Sequence, residues 1–274
     1  MNNNVLYDIT TYDLEGLCTH FDITEEDICD FFMEAALKGI ESNAESFLKY
    51  FKIDSTKVLE KEIYLTSLHV TTVDDQLDSI KKYGLVNLQQ AVTLETPLKQ
   101  YLLKEGVSID IGRKIIEYNG QVIDISREYN ATLDDLDWVI FKLFIDYAIT
   151  SFFTTNNVTE YPGKVHERPE FLKNLSKLLD APDINNIWGD MHNCYVLKFQ
   201  THLSNFDCMS FRGIESDDQE LEKRIWVIDK VLANQRGGYK DVCFSHLKGH
   251  VSIPFRDIKT IYTLDEYKNA YHVK

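Results

Sequence analysis

The chain has 274 residues, of which 44% are hydrophobic, and this is enough for one large domain, or one domain with a small appendage, to bury a substantial core. Its 44 acidic and 29 basic residues give a formal net charge of -15, which disfavours broad electrostatic binding to nucleic acid or to an anionic membrane. No apolar run is long enough to span a bilayer and the first residues lack a secretory pattern, so we expect a cytoplasmic protein.

Residues 1–58 are predicted to form a small helical segment. Thr24 precedes three acidic residues and an apolar repeat at helical spacing that ends before Gly39, a pattern typical of an amphipathic helix. A second helix is predicted over residues 44–51, where apolar residues recur at the same spacing. We therefore expect this segment to precede a larger domain at residues 59–274, and to cover a site or bind a partner.

A strand-like run beside a short helix pattern is the most informative stretch of the chain. Ser67, His69 and Thr71 share one face of this run, because successive side chains of an extended chain point to opposite faces. Thr72 and Asp75 have the spacing of a capping box, and Gly84 suits the left-handed conformation that ends a helix. We therefore predict a strand with a polar face, followed by a capped helix.

Further elements follow in chain order. Pro97 is predicted to divide the helical pattern at residues 88–105 in two, and the dipeptide at residues 119–120, Asn-Gly, predicts a tight hairpin. Thr132 caps a strongly apolar helix that we expect to continue to Tyr147. The remaining predicted elements are helices at residues 169–179 and 220–235 and strands at residues 151–154, 194–203, 241–247 and 258–264.

These elements interleave without the regular strand-helix-strand alternation of a doubly wound sheet. The sequence also contains neither the Gly-x-Gly-x-x-Gly motif nor a Walker-type loop. We therefore predict an α+β fold with a mainly antiparallel, split β-sheet flanked by helices.

The His-x-Thr triplet at residues 69–71, followed by a helix pattern that ends in Gly84-Leu85, resembles the first strand and helix of ADP-ribosyltransferases. The resemblance covers about twenty residues. It implies that NAD is the substrate and that the bond between nicotinamide and ribose breaks through a ribosyl cation. It also implies a toxin or defence effector that modifies a macromolecule, and the acidic charge favours a protein acceptor over nucleic acid.

The resemblance also assigns roles to individual residues. In the family the strand histidine hydrogen-bonds the ribose on the nicotinamide side, and this role falls on His69, with Thr71 beside it. An aromatic residue on a second strand stacks on nicotinamide, for which Phe153 is preferred over Phe152 and Tyr147. An aromatic residue in such a setting is also a common core residue, so both interpretations stay open.

The third family element is a carboxylate that stabilises the cation, and two residues are candidates for it. Glu222 lies in a Glu-x-Glu triplet of the kind one branch of the family uses, but this triplet begins a predicted helix, where acidic residues also complement the helix dipole. Asp241 begins a late strand, nearer to the expected position, yet aspartate is one methylene shorter than the family's glutamate.

Other functions stay open at this stage. His69 also fits a core strand, and the chain fits a catalytically silent nucleotide-binding or protein-interaction module with an acidic surface. RNA 2′-phosphotransferase chemistry would need a cluster of basic residues that the sequence lacks. Five widely spaced cysteines predict reduced thiols, and Cys243, His246 and His250 lack a fourth ligand of suitable spacing, so no metal site is predicted.

Overall fold

A computed structural model of the chain describes residues 4–74, 76–155, 157–211, 214, 219–236 and 242–273. Within these ranges the fold is α+β and its sheets are mainly antiparallel, so the predicted fold class is confirmed. No helix in the same ranges is long and apolar enough to cross a membrane.

The helices and strands are numbered in chain order. The strands are β1 (Asn4–Tyr7), β2 (Glu62–Val73), β3 (Val107–Asp110), β4 (Ile115–Tyr118), β5 (Gln121–Asp124), β6 (Thr150–Thr154), β7 (Asn193–His202), β8 (Cys243–His246) and β9 (Ile258–Thr263). The helices are α1 (Glu15–Phe21), α2 (Glu25–Lys38), α3 (Ala44–Phe51), α4 (Ser55–Leu59), α5 (Asp78–Tyr83), α6 (Leu88–Thr93), α7 (Pro97–Lys104), α8 (Asp135–Phe144), α9 (Glu170–Leu178), α10 (Pro182–Met191), α11 (Glu220–Gln235) and α12 (Leu264–Ala270).

Strand β2 is the middle strand of the larger sheet, whose order is β8-β6-β2-β7-β9. Strand β1 pairs in parallel with the start of β2, where Val5 lies opposite Ile63, and β6 pairs in antiparallel fashion with β2 and β8. The smaller sheet has the order β3-β4-β5, and positive φ angles at Asn119 and Gly120 form the predicted hairpin turn between β4 and β5.

The contacts of the chain divide it into two compact units that alternate along the sequence. Unit 1 consists of Met1–Leu68, Thr150–Asn156 and Lys198–His246, and unit 2 consists of His69–Ile149, Asn157–Leu197 and Leu247–Lys274. The predicted boundary between residues 58 and 59 lies inside unit 1, and that division stays a prediction.

The helices predicted near the start of unit 1 are confirmed. Thr24 and Asp27 form a capping box at the start of α2, which ends at Gly39 with a φ of +65°, and α3 lies where its apolar spacing predicts. Strand β1 was not predicted. Its buried Val5 and Tyr7 alternate with exposed neighbours, but four residues are too short for a recognisable period and its partner is distant in sequence.

Helix α8 contributes to the apolar core of unit 2, as its strongly apolar pattern predicts. Val139 and Leu143 are fully buried and belong to the same cluster as Leu172 and Leu175 of α9. The helix ends at Phe144, three residues before the predicted end, because the amides of residues 145 and 146 both bind the carbonyl of Phe141. Pro97 begins α7, which confirms the predicted division of that helical pattern.

A buried histidine lies beneath β1 in unit 1. His20 is fully buried, its Nδ1 lies 2.6 Å from the hydroxyl of Tyr7, and its ring stacks on Phe21 at a centroid distance of 4.2 Å. Burial lowers the pKa of His20 from 6.5 to about 4, and the positive charges of Arg224 and Lys61 act in the same direction. The folded chain therefore holds this imidazole neutral over a range in which the unfolded chain protonates it.

We expect His20 to make folding sensitive to acid. Its stabilising contribution is complete above pH 6.5, the pKa of an unfolded histidine, and is lost as the pH falls towards about 4. The loss amounts to about 3 kcal/mol of the free energy of unfolding. Denaturant unfolding of the wild type and His20→Gln between pH 7.5 and 4.5 measures it, with the exposed His250→Gln as the control. Equal pH dependence in the wild type and His20→Gln would show that His20 is not responsible.

Candidate functional site

Strand β2 brings two of the three residues of the predicted polar face to partly exposed positions, whereas Ser67 is buried. His69 and Thr71 are half-buried, whereas Leu68 and Val70, which alternate with them, are buried. His69 as a residue is therefore only partly buried. Both residues belong to unit 2.

The preceding polar residue of β2 has a structural role. Ser67 lies in unit 1 and is fully buried; its hydroxyl donates to the carbonyl of Phe152 at 3.0 Å and lies 2.5 Å from the hydroxyl of Ser245. These contacts join β2 to β6 and β8, so the hydroxyl is already satisfied by the sheet. Of the predicted polar face, His69 and Thr71 are the residues that are not fully buried.

The helix after β2 begins later than its sequence pattern predicts. The capping pattern predicts a start near Thr72, but Gln76 and Leu77 have positive φ angles that interrupt a helix, and α5 begins at Asp78. Thr72 instead lies in β2. Asp75, the second residue of the predicted capping box, lies outside the described residues.

The Gly-Leu pair that ends this helix is held by backbone contacts in unit 2. Gly84 has a φ of +75°, and a Cβ at this position would lie 2.0 Å from the carbonyl oxygen of Ile253. The amide of Leu85 donates to the same carbonyl at 2.8 Å, and the amide of Ile253 donates in return at 2.9 Å. Close backbone approach therefore explains the glycine that the sequence motif contains.

An aromatic cluster supports the last residues of β2. The indole N–H of Trp188 donates to the hydroxyl of Thr72 at 2.8 Å, and both side chains are buried. The ring of His192 stacks on Trp188 at a centroid distance of 3.5 Å, and Tyr101 meets Trp188 edge-on at 5.1 Å. We call these four residues, Thr72, Tyr101, Trp188 and His192, the Trp188 cluster.

Tyr101 completes the Trp188 cluster as a neutral hydrogen-bond donor. Its hydroxyl donates to the carbonyl of Ile184 at 2.7 Å. Burial raises the pKa of Tyr101 to about 12, and the negative charges of Glu105 and Asp183 add to the effect. The phenol therefore stays protonated at physiological pH and serves packing and hydrogen bonding.

His192 points one ring nitrogen at an acidic residue beyond the end of β2. Its Nδ1 donates to the carbonyl of Trp188 at 2.8 Å, which leaves Nε2 facing the carboxylate of Asp74 at 3.7 Å. The His192 side chain is 1% exposed, whereas that of Asp74 is 47% exposed. Asp74 is thus a solvent-accessible carboxylate that lies near a buried imidazole, beyond hydrogen-bond distance.

Sequence reasoning missed this His-Asp pair. Trp188 and His192 are four residues apart, which is the spacing of neighbours on a helix face, and this is the local signal that was available. Their contacts with Thr72 and Asp74 join positions more than 100 residues apart, since the Trp188–Thr72 bond spans 116 residues.

The aromatic candidates occupy different environments. Phe153 is fully buried in unit 1, where its ring packs against Phe206, Phe211 and Trp226 at centroid distances of 5.0, 6.1 and 5.6 Å. It is placed as a core residue and offers no open ring face for nicotinamide. Tyr147, in unit 2, is partly exposed.

Of the two predicted carboxylates, Glu222 lies within the described residues. Glu222 is exposed in the first turn of α11 in unit 1, where acidic residues complement the helix dipole, and the nearby Glu220 pairs with Arg224 at 2.8 Å. Asp241 lies outside the described residues. Among the described residues, Asp74 is an exposed carboxylate that follows β2 directly.

We expect the bond between Trp188 and Thr72 to stabilise the end of β2. Thr72→Val keeps the shape of the side chain but leaves the buried indole N–H without an acceptor, which costs about 1–3 kcal/mol of the free energy of unfolding. In a Trp188→Phe background the same substitution should cost much less, because the donor is already gone. Denaturant unfolding of the four proteins measures this, and an equal cost in both backgrounds would contradict it.

Comparisons with known proteins assign no family to this chain. No protein-family model, curated protein or solved structure matches the chain.

Proposed function

We propose that this protein transfers ADP-ribose from NAD, with His69 as the residue that holds the nicotinamide-side ribose. The observation that carries the proposal is the placement of the motif: His69 and Thr71 are partly exposed on the middle strand of the larger sheet. The tight Gly84-Leu85 contact with Ile253 supports it further, since it gives the motif's glycine a physical reason.

The proposed reaction breaks the glycosidic bond between ribose C1′ and the nicotinamide nitrogen. The bonding electron pair leaves with nicotinamide, which becomes neutral, and C1′ becomes a ribosyl cation. A nucleophilic atom of the acceptor then bonds to C1′ and loses its proton to water or to a nearby base. Holding the ribose in a reactive geometry and stabilising the cation are the tasks of the protein.

Individual side chains are candidates for these two tasks. The imidazole of His69 hydrogen-bonds a ribose hydroxyl, and the hydroxyl of Thr71 is on the same strand face. Asp74 joins Asp241 and Glu222 as a third candidate for the carboxylate that stabilises the cation. In its favour, Asp74 directly follows β2 and its carboxylate is exposed.

We propose a protein acceptor in the cytoplasm, modified as the target of a toxin or defence effector. The net charge of -15 supports this choice, because an acidic surface repels the phosphates of a nucleic acid acceptor.

The assay that tests the proposal follows nicotinamide release from NAD by chromatography, in the presence of a cell extract as acceptor. We expect His69→Ala to lower the rate at least about 100-fold, because it removes a group that holds the reacting ribose. His250→Ala is the matched control, since His250 is an exposed histidine of unit 2 outside the candidate site, and it should keep the wild-type rate.

Calorimetry with NAD separates the remaining outcomes. Binding of NAD that depends on His69 without any turnover would favour the catalytically silent nucleotide-binding module. Neither binding nor nicotinamide release would overturn the proposed function. Equal rates for the wild type and His69→Ala would exclude the role of His69.

A further inference from the structure

The outer face of α2 exposes large apolar side chains to solvent. Leu37 is 87% exposed, Met33 is 57% exposed and Ile40, two residues after the helix, is 51% exposed. Isolated exposed apolar residues are common, but a group of them on one face marks an interaction surface. Tyr50 of α3 is also exposed, and together with Ile40 it lines a groove between α2 and α3.

These residues are not needed for the core of unit 1. Ile28, Phe31 and Ala35 form the buried face of α2, and the Phe31 ring meets the Phe47 ring of α3 at a centroid distance of 5.5 Å. Leu37 follows Ile28 by nine residues, or two and a half helical turns, so it lies on the opposite face. The helix is therefore apolar on two sides, and in the described part of the chain one of them packs into the core of unit 1.

A groove of about 470 Å³ runs between α2 and α3. Phe31 and Ala35 supply its apolar floor, and Ile40 and Tyr50 are partly exposed at its edge. A volume of this size accommodates a few side chains of an inserted segment. The groove thus has the form of a site that receives anchor residues from a helix.

The charges around the groove indicate which kind of partner can bind there. Residues 24–52 include seven acidic and three basic residues, and one of the basic residues, Lys38, already pairs with Glu34. Glu34, Glu41 and Glu45 line the groove together with Lys38 and Lys49, and Glu41 also pairs with Arg236 at 3.6 Å. A second copy of this chain would bring like charges together, and an anionic membrane or nucleic acid would be repelled for the same reason. A partner with Lys or Arg beside its apolar residues is complementary.

We propose that the groove between α2 and α3, with the exposed face of α2 beside it, binds a basic amphipathic helix of a partner protein. Apolar side chains spaced three or four residues apart enter the groove and cover Leu37 and Ile40. Basic side chains next to them pair with Glu34, Glu41 and Glu45. This surface lies within unit 1 and does not depend on the proposed transferase activity.

The test uses a synthetic 14-residue helix of leucine and lysine, labelled with fluorescein, and the full-length protein. Fluorescence anisotropy compares it with a scrambled peptide of equal composition and with a leucine-glutamate helix. We expect the leucine-lysine helix to bind at least about tenfold more tightly than either, because both apolar anchors in register and positive charge are required.

Leu37→Asp supplies the critical variant, and Leu103→Asp is its matched control. Each leucine is exposed and is the second-last residue of its helix, so the two substitutions add the same charge in the same local setting. We expect Leu37→Asp to weaken binding at least about tenfold and Leu103→Asp to leave it unchanged, because only Leu37 belongs to the surface.

Four outcomes would overturn the proposal. Equal binding of the scrambled peptide, or equal affinity in both variants, would show nonspecific attraction to an acidic protein. Absence of binding by the leucine-lysine helix would exclude the proposed occupant. A dimer in sedimentation experiments that Leu37→Asp dissociates would assign the surface to a second copy of the chain.

Discussion

Strand β2 must satisfy its backbone hydrogen bonds within the larger sheet, and this requirement fixes the direction of each of its side chains. Residues 65–68 are all buried, whereas exposure alternates from residue 68 onward. The polar residues Thr66 and Ser67 lie in the buried part, whereas His69 and Thr71 are half-buried. The same backbone constraint that anchors the strand therefore presents an imidazole and a hydroxyl at its partly open end.

The histidines of the chain show how environment separates structural from functional candidates. His20 is sealed in unit 1, with a pKa lowered to about 4, and contributes to packing as a neutral ring. His192 is also enclosed, but a backbone carbonyl fixes its tautomer and turns its other nitrogen towards Asp74. His69 is a half-buried residue on the middle strand of the larger sheet.

The local part of the fold could be predicted from the sequence, because local contacts determine it. The capping box at Thr24, the turn at residues 119–120 and the proline at residue 97 act within a few residues, and each lies where its pattern indicates. Strand β1 could not be predicted, because its four residues are stabilised by a partner strand nearly sixty positions away. The start of α5 was predicted too early, because the hydroxyl of its predicted cap, Thr72, instead binds the distant Trp188.

Thr72 illustrates the limit for the candidate site. Its spacing to Asp75 fits a helix cap, yet its hydroxyl binds the indole of Trp188, which lies 116 residues away. No local pattern distinguishes these two uses of a threonine. The strand motif itself was visible because its residues are adjacent, whereas the Trp188 cluster and the pair of Asp74 and His192 depend on tertiary contacts.

A crystal structure with a non-hydrolysable NAD analogue will show whether the end of β2 binds the nicotinamide-side ribose. We expect a ribose hydroxyl about 3 Å from the His69 imidazole, with a carboxylate near the opposite side of the same sugar. An analogue bound elsewhere, or a ribose with no contact to His69, would contradict it.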